Sequence, residues 1–152
     1  MSVNTEKVFY KCLDEVNRQI EKHQAKLDEI SGYNEENNMH PDFDEYGNKG
    51  EMFNTYEQHT SYLDNAQKMK ETLVNLDTDL THRSTTIGPG SLVETEEHYY
   101  YISVPLGELE LDDGSRVYAI STEAPIYQEL ENLREGDHFT FDGKEHRIVG
   151  IF

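Results

Sequence analysis

The chain has 152 residues, enough for one domain or two small ones, and 35% hydrophobic against 29% charged residues points to much exposed surface. A formal net charge of −18, with only 13 Lys and Arg, argues against autonomous DNA or RNA binding, which needs cations to displace condensed counterions. No apolar run approaches the roughly 18 residues of a membrane span, and a single cysteine, Cys12, excludes an internal disulfide and suits a reducing compartment. The first residues lack the apolar stretch of a secretory signal, so a cytoplasmic location is expected.

From Phe9 the apolar spacing is regular: Phe9, Leu13, Val16, Ile20, His23, Leu27 and Ile30 alternate steps of four and three. This is a heptad seam, and it stops at Ser31-Gly32, where glycine can take the left-handed conformation that ends a helix. A polar stretch without periodicity follows. The pattern resumes with Met52, Tyr56, His59, Leu63, Ala66, then Met69 or Lys70, Leu73, Leu76 and Leu80. Two amphipathic helices of about 25 to 30 residues, each roughly 40 Å long, are predicted. Their seams are similar in length and symmetric about the polar stretch, which favours an intramolecular antiparallel hairpin over pairing between chains. In that register His23 falls opposite the His59 region, and both rings are expected to tuck over the seam with one nitrogen wet. Cys12 is placed off the seam.

Residues 83–90, with Gly88-Pro89-Gly90, break the pattern and read as a linker. Short strands are predicted at Ser91 to Thr95, His98 to Val104 and Arg116 to Ser121, with a turn at Asp112 to Ser115. Ser121-Thr122-Glu123-Ala124-Pro125 then leads into a helix, because Pro fits the first helical turn, where its missing N–H costs nothing. Ile126, Leu130 and Leu133 make its apolar stripe, and Gly136-Asp137 turns the chain. Phe139 to Phe141, Asp142-Gly143 and His146 to Ile151 read as a hairpin with a type I′ turn. The predicted fold class is α+β: a helical hairpin (coiled coil) over residues 1–82 with its tip at about 32–50, a linker at 83–90, and a small domain of four or five strands and one helix over 91–152.

Ser121, Pro125, Leu130, Gly136 and Asp137 keep the spacing of a strand–helix–turn signature that resembles the C-terminal domain of the bacterial Gre factors, the transcript-cleavage factors of RNA polymerase. Ala124 stands where that family usually has Ser, and Tyr127 where it usually has Gly. The polar stretch contains Asp42-Phe43-Asp44-Glu45, similar to the acidic, apolar, variable, acidic order at the family's hairpin tip. The resemblance covers most of the chain and implies an FKBP-like fold for the C-terminal domain.

It also implies a function. The factor would bind RNA polymerase, approach the nascent RNA through the secondary channel, and stimulate cleavage in backtracked complexes without being an enzyme itself. Asp42 and Glu45, with Asp44 as a third carboxylate, would offer oxygen ligands to a Mg²⁺ shared with the polymerase active site and not held tightly by the free protein. Ser121, Pro125, Leu130, Gly136 and Asp137 would belong to the docking region. After the acidic residues the family runs into Asn and helix formers, whereas this chain continues Tyr46-Gly47-Asn48-Lys49-Gly50. Three alternatives follow from the sequence: a regulator of the same fold that occupies the channel without stimulating cleavage, an FKBP-like peptidyl-prolyl isomerase or chaperone, and a plain coiled-coil adaptor.

Overall fold

The computed structural model describes residues 3–36, 49–76 and 85–152. Two long helices come first, α1 (Thr5–Glu36) and α2 (Lys49–Asn75), and form an N-terminal helical hairpin. A small mixed-sheet domain follows. Asn4 starts α1: its side-chain oxygen accepts the Lys7 backbone N–H at 2.8 Å, satisfying one of the orphan donors of the first turn. Glu6 in that turn adds a favourable charge at the positive end of the helix dipole.

The described chain forms two compact units, Val16–Lys70 and Met1–Glu15 with Glu71–Phe152. In the first, Val16, Leu27 and Ile30 of α1 and Leu63 and Ala66 of α2 are buried, and His23 meets His59 across the helices. The predicted pairing of the helices within one chain is what the structure contains. Tyr56, expected on the seam, is 38% exposed. Met52 and Leu80 lie outside the described side chains.

The second unit holds a six-stranded sheet. Its strands are β1 (Leu92–Thr95), β2 (Tyr99–Ile102), β3 (Gly107–Glu110), β4 (Arg116–Ile120), β5 (His138–Phe141) and β6 (Lys144–Ile151), in the spatial order β3-β4-β2-β1-β6-β5. Only β2 and β4 are parallel; the chain swings out through β3 at the sheet edge between them. Nothing in the local pattern announces β3, since Leu109 is its single buried residue and the alternation that marks a strand needs at least two. Its exposed Glu108 meets Arg116 of β4 at 3.3 Å, the kind of charged edge that discourages further pairing.

Because side chains alternate across a strand, the sheet has two apolar faces. On one, Val93, Ile102, Phe139 and Ile148 pack with Ile87 and with Ile126, Tyr127 and Leu130 of α3 (Pro125–Leu130). The opposite face carries Leu92, Tyr101, Leu109, Val117 and Ala119, all buried. Cys12 belongs to this second face: it is fully buried, beside Tyr101 and Ser103. It lies off the α1–α2 seam, as expected, and is buried all the same. The first turns of α1 bury a second row, Val8 and Cys12, in step with Val16, while Phe9 and Leu13 of the predicted seam are half-buried. A four-three pattern locates one partner face and is blind to a second.

Pro125 occupies the first position of α3, as the sequence implies, but the helix closes at Leu130. Asn132 has φ of 66°, and its N–H reaches the carbonyl of Ile87 at 3.0 Å while Ile87 N–H reaches that of Leu133 at 2.9 Å. The chain thus leaves the helix to pair with residues 86–87, and Leu133 joins the same apolar cluster from outside the helix. The turn between β5 and β6 has Asp142 at φ 52° and Gly143 at φ 74°, the two positive values a type I′ turn requires.

Candidate functional site

Asp42, Asp44 and Glu45 lie outside the described residues, in the segment that joins Glu36 of α1 to Lys49 of α2. Among the described residues no group of three or more His, Cys, Asp or Glu is placed to hold a metal ion. The predicted docking residues are all described, and the fold gives them different tasks.

Ser121 follows the last residue of β4. Its hydroxyl accepts the Glu123 N–H at 3.2 Å and its carbonyl accepts the Ala124 N–H at 3.1 Å, so the chain is bent ready for Pro125. Pro125 is exposed at the start of α3. Leu130 has no exposed surface at all and acts through the core. Gly136 takes φ of 92°, a conformation cheap only for glycine, and its N–H bonds the Ile148 carbonyl at 2.8 Å. Asp137 closes the turn: its carboxylate accepts the Arg134 N–H at 2.8 Å, and its carbonyl accepts the Ile148 N–H at 2.9 Å. The spacing that is legible in the sequence is thus a folding device that fixes α3 to the sheet. It leaves Ser121, Pro125 and the exposed Gly136-Asp137 turn as the surface it presents.

Beside α3 lies a group of rings that the sequence reading did not place together. Tyr100 of β2 and Tyr118 of β4 are register partners with ring centroids 5.8 Å apart, and His98 packs edge-on against Tyr118 at 5.2 Å. The parallel pairing of β2 with β4 is what assembles them, and nothing local in the sequence announces a parallel neighbour 18 residues away in register. Next to them the Lys144 ammonium donates to Glu97 and holds its carboxyl below the usual carboxylate range.

Cys12 offers no nucleophile. Burial pushes its thiol up to about 12, and the Ser103 hydroxyl beside it offsets only part of that. The Ser103 oxygen, itself buried, has no well-formed hydrogen bond, so the pair is an electrostatic contact and no more. Since the thiolate is the reactive form, a thiol reagent at pH 8 should leave the native protein unmodified for hours and label it within minutes in denaturant. Rapid labelling of the folded chain would contradict this burial.

In the Val16–Lys70 unit, Nδ1 of His23 lies 3.0 Å from Nδ1 of His59, and the Tyr62 ring packs on both imidazoles at 5.1 and 5.9 Å. Tyr62 is in turn held by Gln58, whose amide donates to its hydroxyl at 2.7 Å. The predicted juxtaposition of the two histidines is present. Desolvation first, then the charges of His59, Lys22 and Arg18, holds the His23 imidazole below its ordinary value of 6.5. The unfolded chain therefore takes up this proton at higher pH than the folded one does. The linkage has one sign: stability is unaffected well above pH 6.5 and falls as pH drops below it. Melting followed by helical circular dichroism should move to lower temperature between about pH 7 and 5, and His23→Gln should flatten that slope.

No family model matches this chain, and no curated protein matches it. Among solved structures it is similar to a crystal structure of GreA factor homolog 1 (Gfh1) of Thermus thermophilus, at 21% identity over 92% of this chain and 94% of that one, with a TM-score of 0.34. A structure described as the transcription factor Gfh1 gives 21% identity over 92% of each chain, and Thermus aquaticus Gfh1 gives 20% over 93% of this chain and 94% of that one; both have TM-scores of 0.34. Values this low carry no weight for function, which has to rest on the chain's own residues.

Proposed function

We propose that this protein is an RNA polymerase-binding factor whose helical arm enters the polymerase secondary channel and brings Asp42 and Glu45 to the catalytic centre. The observation that carries this reading is the order of parts: a helical hairpin whose connecting segment holds Asp42-Phe43-Asp44-Glu45, followed by a sheet domain with the Ser121–Pro125–Gly136-Asp137 device intact. An arm of that kind, 32 and 27 residues in its two helices, has a reach of about 40 Å. A net charge of −18 suits entry into a channel lined by cations.

The chemistry asked of the tip is modest. Two carboxylates supply oxygen ligands to a second Mg²⁺ that the polymerase holds weakly, and that ion activates water for in-line attack on the transcript. Two or three carboxylates on one short segment are too few to strip Mg²⁺ of its water, so the free protein should bind it weakly. The catalyst is the polymerase. The surface of Ser121, Pro125 and the Gly136-Asp137 turn is the docking face, and FKBP-like folding of the domain belongs to the same proposal.

A second reading rests on one feature. Gly47 and Gly50 follow the acidic residues, and Gly50, in the first turn of α2, costs about 1 kcal/mol against Ala in a helix, so an arm of this sequence can occupy the channel without holding the carboxylates in a cleaving geometry. One experiment separates the outcomes. The full chain is added to core RNA polymerase, tested for co-purification, and then added to backtracked complexes. Binding with accelerated transcript shortening supports the first reading, and binding with none supports the second. Failure to bind contradicts both.

A further inference from the structure

His23 and His59 lie within hydrogen-bond distance of one another, but their geometry also answers to a different ligand. We infer that the two imidazoles form a cross-helix chelate for a borderline divalent transition cation of the nickel or copper type, which fastens α1 to α2 midway along the Val16–Lys70 unit. Two ring nitrogens of the same kind face one another at 3.0 Å, one from each helix. With metal–nitrogen bonds of about 2.0–2.1 Å, a 3.0 Å separation subtends close to 95° at a shared ion. That is the angle between neighbouring ligands in square-planar or octahedral coordination. A tetrahedral ion would want the nitrogens about 3.3 Å apart, so Cu²⁺ and Ni²⁺ fit better than Zn²⁺.

The surroundings suit this role. Imidazole is a favoured ligand for these cations, and both rings are only half-buried, so water can fill the remaining positions. Tyr62, anchored by Gln58, packs on both rings and fixes their orientation. Coordination needs both rings as the Nε2–H tautomer. One Nδ1 proton therefore moves to Nε2 on the same ring as the ion takes its place, and no net proton is released. Two protein ligands make a site of modest affinity, saturated by millimolar and not by trace metal. Nothing in this inference depends on the polymerase.

The test uses the full chain at pH 7.5, melted by helical circular dichroism in excess EDTA and in 1 mM Ni²⁺. Because the ion binds the folded arrangement alone, the wild type should melt several degrees higher in Ni²⁺. His23→Ala and His59→Ala should lose that gain while retaining helicity in EDTA; His23→Gln stands in if the first does not fold. His40, His82, His98, His138 and His146 remain in every variant and serve as the internal control. Electron paramagnetic resonance of the wild type with one equivalent of Cu²⁺ should show two equatorial nitrogens. Absence of a Ni²⁺ shift in the wild type, retention of the shift in either variant, or a Cu²⁺ spectrum without paired nitrogens would overturn the chelate.

Discussion

Leu130→Ala should cost the sheet domain about 2–5 kcal/mol, the range for removing a fully buried leucine from a packed core. Leu130 packs from α3 in the cluster of Ile87, Val93, Ile102, Ile126, Tyr127, Phe139 and Ile148. Against a total stability of about 5–15 kcal/mol this is a large fraction. Urea denaturation should show a lower midpoint with an unchanged slope. Polymerase binding by the variant should fall only in proportion to the unfolded fraction, because the side chain has no surface to offer a partner. A midpoint within 0.5 kcal/mol of wild type, in equivalent free energy, would mean that Leu130 does not hold α3 to the sheet. Ser121→Ala makes the contrast: it removes one acceptor for the Glu123 N–H near solvent, a loss of about 1 kcal/mol or less.

Asp42→Ala with Glu45→Ala should abolish stimulated transcript cleavage and leave the melting temperature and polymerase binding close to wild type. The expectation follows from the division of labour in the proposed function. The buried residues of the hairpin, Val16, Leu27, Ile30, Leu63 and Ala66, are in its helices and are untouched by the substitutions. The carboxylates act on an ion that the polymerase holds. The stimulation should fall by at least about 10–100-fold, the scale on which loss of a group that supports a metal ion is felt. Normal cleavage by the double variant would refute the carboxylate assignment outright. Asp44→Ala alone should have a smaller effect, since it stands between the pair as a third acid.

Much of the architecture is readable from residues, for physical reasons that differ along the chain. Seven positions in four-three steps from Phe9 to Ile30 specify a long helix with one buried stripe, and the partner stripe from α2 sets His23 against His59. Pro125 and Asp142-Gly143 are legible because each residue type fits a narrow range of backbone angles. β3 was not, because Gly107-Glu108-Leu109-Glu110 takes its conformation from pairing with β4 and not from its own pattern. The burial of Cys12 was not legible, because its partners, Tyr101 and Ser103, are about ninety residues away and give no local signal. The Ser121 to Asp137 spacing was read as docking surface, whereas Leu130, Gly136 and Asp137 first of all build the fold, and only part of the stretch is left exposed. A spacing records every constraint on a segment at once and does not say which residues face outward.

The arm's position in the polymerase can be measured directly. Iron(II) exchanged for the Mg²⁺ of the polymerase catalytic centre generates hydroxyl radicals there, and these cut any polypeptide backbone within reach. With this protein bound, cuts should cluster in residues 37–48, around Asp42 and Glu45, and should be absent from residues 85–152. Cuts confined to the sheet domain, or no cuts in a complex shown to be bound, would contradict the account of an arm that reaches the active site.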